Sequence, residues 1–151
     1  MDLKFRVSAH ISRPAHEVFE AVADPDKLSR YFTTGGAKGR LETGATVTWD
    51  FHDFPGAFPV HVIEVVPDER IVLEWKANDP GAEAEYNVTV TMTFKPVDGR
   101  RTLVEIAEEG WRETAGALKA SYGNCQGWTG MLLALKVWVE HGINLREGLY
   151  K

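Results

Sequence analysis

The side chains of this sequence that could do chemistry are few: five histidines, one cysteine, and a cluster of glutamates beside a tryptophan. Asp50 and His52 lie two residues apart, and His61 follows on the next extended stretch. Three such groups could hold a metal or move a proton. However, they alternate with Trp49 and Phe51, so inward rings would leave the acid and the imidazole facing water, and no metal site is expected. Cys125 stands near the start of a helical pattern, where a helix N-terminus stabilises a thiolate. No histidine is close to it in sequence, and a small packing residue is the simpler reading. Glu105, Glu108 and Glu109 precede Gly110-Trp111. If Thr102, Val104 and Ile106 point inward, so does Glu108, and a buried carboxylate needs a partner or a raised pKa. The competing reading is a solvated strand end. Tyr86 and Tyr122 each join an apolar ring to a hydroxyl, and Glu108 and Tyr86 are taken as candidate polar handles.

Other chemistries lack their signatures. There is no G-x-S-x-G, no H-E-x-x-H and no dinucleotide fingerprint. "TTGGAKG" is rich in glycine but lacks the GK[ST] ending and precedes an edge strand rather than a helix. No cofactor is expected.

The elements that must position these groups show in the hydrophobic period. "LKFRVSAHI" alternates as a half-buried strand. "SRPAHEVFEAVAD" follows as a helix, with Ser12 read as its N-cap and Pro14 in its first turn. Asp24-Pro25 breaks it, and "PDKLSRYF" makes a second short helical turn. Beyond Gly35, Gly36 and Gly39, residues 45–52, 58–66, 70–77, 86–97 and 101–109 alternate again, and "AKGRLE" is a weak edge strand. Short connections such as "DFPGA", "PDE" and "DG" make the strands antiparallel neighbours. After Trp111 the period becomes helical, and Trp128, Met131, Leu132, Leu135, Val139, Gly142 and Ile143 form one stripe. Residues 112–123 are either a separate short helix or the first arm of the same one.

The expected fold is therefore α+β: about seven antiparallel strands curved round a long C-terminal helix, with two short helices after the first strand. Residues 1–151 form one domain, since no linker, repeat or low-complexity tract divides them. A net charge of −5, with scattered lysines and arginines, argues against a nucleic-acid partner. No apolar run approaches the ~20 residues of a membrane span, and the first residues lack a signal peptide's apolar core. A single cysteine fits a reducing compartment, so the expected location is cytoplasmic.

A sheet wider than the helix it grips leaves room between them. Trp49, Phe51, Trp75, Met92, Trp111, Tyr122, Trp128, Met131, Leu132 and Leu135 are the expected ligand-binding walls. The same residues also describe a filled core.

"VSAHISRPAHEVFEAVADPDKLSRYF" carries Pro14, Val18-Phe19, Ala21, Asp24-Pro25 and Leu28 in a recognisable spacing. With "HVIEVVPDERIVLEW", "TMTFKPVDGRRTLVEIAEEGW" and "GWTGMLLALKVWVEHG", it resembles the family similar to the activator of heat-shock-protein-90 ATPase (AHSA-type). That family lies within the START-like (SRPBCC, Bet v-like, helix-grip) superfamily. The resemblance spans nearly the whole chain and implies a helix-grip fold with a deep cavity. One departure is Tyr31-Phe32, where many relatives have tryptophan. The first expectation is binding of a small hydrophobic or aromatic molecule rather than catalysis. The alternatives are an enzyme of the polyketide cyclase or lyase type, with Glu108 or Tyr122 moving protons, and a module whose partner is a chaperone.

Overall fold

Alternating apolar residues build a single antiparallel sheet whose inner face is closed by one helix. The computed structural model describes residues 2–151. Its strands are β1 (Phe5–Ile11), β2 (Gly36–Lys38), β3 (Thr46–Phe51), β4 (Phe54–Val66), β5 (Arg70–Lys76), β6 (Asn87–Pro96) and β7 (Thr102–Glu109). The helices are α1 (Ala15–Ala23), α2 (Pro25–Leu28) and α3 (Ala115–His141). Strand order is β1-β7-β6-β5-β4-β3-β2, so every neighbouring pair except β1–β7 is joined by a short sequential connection. β1 closes the far edge, with Phe5 opposite Glu108 and Val7 opposite Ile106.

The inward set follows the alternation: Val47 and Trp49, Ile71 and Leu73, Val88, Val90, Met92 and Phe94, then Val104 and Ile106 are all buried. All but Val88 meet Trp128, Met131, Leu132 and Leu135 of α3, and Val18, Phe19 and Val22 of α1, in one core. Burying a side chain of this size is worth about 1.5–3 kcal/mol before entropic costs. A smaller cluster of Ala77, Val88, Trp111 and Ala117 seals the other end.

Several local expectations are corrected. Ser12 does not cap α1: Pro14 holds the N-cap position without a side-chain bond, and the Ser12 amide donates instead to Glu140. β4 begins at Phe54, so "DFPGA" is not a loop. The β3–β4 reversal is tight, with Phe51 opposite Phe54, and the register shifts between Trp49 and Phe51. Residues 115–123 belong to α3, whose Thr114 cap accepts from the Ala117 amide. Cys125 therefore lies about three turns inside the helix and not at its start, which removes the helix-terminus argument for a thiolate. The apolar stripe of α3 ends at Val139: Gly142 is the left-handed C-cap (φ 70) and Ile143 is exposed.

Candidate ligand-binding site

The helix-grip interior is packed for most of its length, and space opens beside it where β3, the β5–β6 connection, the first half of α3 and the C-terminal residues meet. There a cleft of about 410 Å³ is lined by Phe32, Phe51, Phe54, Trp75, Asn78, Gly123, Asn124, Gly127, Trp128, Arg146 and Tyr150. A second hollow of about 430 Å³ adjoins it, sharing Trp75, Asn78 and Asn124 and adding Phe58, Pro59 and His61.

Aromatic rings make the wall. Trp75 and Trp128 stack with centroids 5.3 Å apart and planes tilted by 26°. Phe32 lies against Trp128 at 5.6 Å and edge-on to Phe51 at 5.0 Å. Behind them Trp49 meets Phe32 and Trp75 edge-on, and its indole Nε1 is the only buried side-chain polar atom without a partner among the described residues.

Besides Trp128, α3 shapes the cleft through side chains it lacks. Gly123 and Gly127 have nothing within 4 Å of where a Cβ would be, so both face open space. Gly130, further along, is different: a Cβ there would lie 2.1 Å from the Tyr150 hydroxyl, so its bareness lets the C-terminal residues rest on the helix.

Those residues are pinned by a buried ion pair. Arg146 donates from Nε and Nη2 to the two carboxylate oxygens of Asp53, at 3.2 and 3.0 Å, and the pair's side chains are 7% and 1% exposed. The guanidinium also lies 4.5 Å from the centre of the Phe51 ring, a geometry in which a cation is attracted to the ring face.

Glu108 sits directly behind the cleft wall and is 0% exposed. Its Oε1 accepts from Trp111 Nε1 at 3.0 Å and Asn124 Nδ2 at 2.8 Å, and its Oε2 accepts from Trp128 Nε1 at 2.9 Å. Burial pushes this carboxyl above its ordinary range, and the Asn124, Trp128 and Trp111 donors pull it partly back. Each donor removes part of the cost of an unpaired buried charge.

Of the expected walls, Phe51, Trp75 and Trp128 border the cleft. Trp49, Met92, Met131, Leu132 and Leu135 are buried one layer behind it in the core, and Trp111 anchors Glu108 from the smaller cluster. Tyr122 is 69% exposed and lies off the cleft. Tyr86 donates to Asp79 at 2.7 Å and accepts from the Arg112 amide at 3.2 Å, holding the β5–β6 connection. Asp50, His52 and His61 do not converge, and no group of three potential metal ligands occurs among the described residues. Sequence reasoning missed Phe32, Asn78, Asn124, Arg146 and Tyr150. Carrying the α3 period back one turn from Trp128 would have found Asn124; no periodic signal marks Arg146.

The comparisons bear on this architecture. The model of a family described as "Activator of Hsp90 ATPase homolog 1-like protein" matches residues 12–140. The chain belongs to that family. Among solved structures, the chain is similar to the protein SSP2350 from Staphylococcus saprophyticus, at 25% identity, covering 95% of this chain and 96% of that one, with a TM-score of 0.77. It also resembles MLL2253 from Mesorhizobium loti (17% identity, 93% and 99% covered, TM-score 0.78). A third is the Aha1 dimer from Colwellia psychrerythraea (21%, 93% and 98%, 0.75). These last two show the shared fold alone. No curated protein matches the chain. Among the described residues no helix of this family member is long and apolar enough to cross a membrane.

Proposed function

We propose that this protein binds a small, largely aromatic molecule in the cleft between the sheet and the first half of α3. The observation that carries the reading is the pair of helical glycines, Gly123 and Gly127, facing empty space in the cleft that the stacked indoles also line. A glycine inside a helix is about 0.8–1.0 kcal/mol less favourable than alanine. Nothing in the protein needs these two positions bare, so their cost is consistent with room kept for something else. A flat ring entering beside Trp75 and Trp128 would gain apolar burial of about 25 cal/mol per Å² before association costs.

Binding is favoured over turnover because the groups proposed to move protons are not presented to the cleft together. Glu108 is enclosed by three donors, and Tyr122 is exposed elsewhere.

Two substitutions at one position test the reading. Gly127→Ala is expected to raise stability by up to about 1 kcal/mol and to leave the cleft passable. Gly127→Leu should fill it and abolish uptake. Native mass spectrometry of protein purified from its own cells, followed by heteronuclear NMR titration of any molecule recovered, supplies the readout. Shifts that avoid Phe32, Trp75 and Trp128, or uptake indifferent to Gly127→Leu, would place the ligand elsewhere and sink the proposal.

A further inference from the structure

Asn124 borders both halves of the cleft, and its amide is held in one sense by Glu108. We propose that Glu108 is a positioning residue that turns the Asn124 carbonyl oxygen toward the cleft, and that the ligand accordingly is an aromatic molecule bearing an O–H or N–H donor. This rests on the binding reading above and names the chemistry of what the cleft takes.

The argument is an inventory of donors and acceptors. An ionised carboxylate only accepts, and an indole N–H only donates. Trp111 and Trp128 both donate to Glu108, so neither can be reversed. Asn124 alone of the three partners has a choice. Its Nδ2 is 2.8 Å from Glu108 Oε1, whereas the opposite orientation would set a carbonyl oxygen against a carboxylate oxygen. Asn124 Oδ1 is left without a protein partner among the described residues.

The constraint belongs to the ionised carboxylate: a protonated Glu108 could donate its O–H to a turned Asn124 oxygen, as an amide at this position could. The field has the same sign as the geometry. When Glu108 is ionised, its negative charge behind the wall favours the positive end of a ligand dipole at Asn124. Stacking against Trp75 and Trp128 is indifferent to substituents, whereas a buried hydrogen-bonding group discriminates strongly against an analogue that lacks its partner. Glu108 would thus determine specificity without touching the ligand.

Isothermal titration calorimetry with 2-naphthol and 2-methoxynaphthalene tests this, because the pair share one ring system and differ in the donor. The wild-type protein is expected to bind 2-naphthol roughly tenfold more tightly, the worth of one good hydrogen bond. Glu108→Gln places an amide among three donors, and with its nitrogen in the Oε1 position Asn124 turns its oxygen inward. The preference should then vanish or reverse. Asn124→Leu removes the acceptor directly and should equalise the two probes while the ether still binds, which keeps the test decisive if Glu108→Gln folds poorly.

Equal wild-type affinity for both probes, with both blocked by Gly127→Leu, would overturn the assignment and leave the cleft reading standing. A naphthol preference that survives Asn124→Leu would overturn it too. If neither probe binds, or if binding ignores Gly127→Leu, the cleft reading falls and this inference falls with it.

Discussion

Asp53→Ala should lower the stability of this protein by about 3–5 kcal/mol, the usual cost of leaving one member of a buried ion pair without its partner. For a domain of this length that corresponds to roughly 6–20 °C in Tm. The magnitude follows from the setting. Arg146 is 7% exposed and Asp53 1%, and two of the guanidinium's nitrogens are committed to the carboxylate. Removing Asp53 leaves a cation among Phe32, Phe51 and Tyr150. Ring faces attract it by about 0.5–2 kcal/mol, which is less than the lost pairing. The double variant Asp53→Leu with Arg146→Met is expected to recover most of the loss, because apolar replacement of a whole buried pair is often neutral or better. Urea unfolding of the two variants decides the matter. A single-variant cost below about 1 kcal/mol would mean that the pair behaves as a surface contact and does not hold the C-terminal residues.

Glu108→Ala is the second large effect. It strands the N–H groups of Trp111, Trp128 and Asn124, two of them on buried indoles. An unsatisfied buried donor costs about 1–3 kcal/mol, so a loss on the order of 3 kcal/mol or more is expected. The ionisation of this group also leaves a signature with a definite sign. Because the folded carboxyl lies above its ordinary value, between the two values the folded chain holds a proton that the unfolded chain has released. Its contribution to stability is complete below the ordinary glutamate range and is lost as pH rises through the folded pKa.

Glu20 has the opposite sign. The hydrogen bond from Arg40 holds its carboxyl below the ordinary value, so its contribution is present above that range and lost as pH falls. Glu108→Gln should therefore flatten the fall in stability toward higher pH and leave the acid limb intact. Unfolding free energies collected between about pH 4 and 8, which spans the glutamate range and its upward shift, would show this. Parallel wild-type and variant profiles would contradict it.

Much of the fold was legible because it is written in local periods. "YNVTVTMTF" alternates in sequence and in burial, and the alternation of Thr102, Val104 and Ile106 runs on to Glu108, whose competing reading as a solvated strand end the structure overturns. The α3 stripe from Trp128 to Leu135 was equally plain. What escaped was whatever depends on long separations. Asp53 and Arg146 are 93 residues apart, and neither sits in a periodic run that would flag it as buried. Tyr122 was misplaced for a related reason: with residues 112–123 left unassigned, the phase of the helix there was unknown, and its ring emerges on the wet side. The glycines of α3 serve two ends that no hydrophobic period distinguishes. Gly130 permits a close approach, while Gly123 and Gly127 leave a gap.

The near-parallel indoles of Trp75 and Trp128 have a spectroscopic consequence. Two aromatic chromophores held 5.3 Å apart at 26° couple their electronic transitions, which splits them into an exciton pair visible in circular dichroism. A molecule sliding between or beside the rings would alter that coupling directly. The coupled pair thus gives an unlabelled optical signal of any change in the spacing or tilt of these two rings.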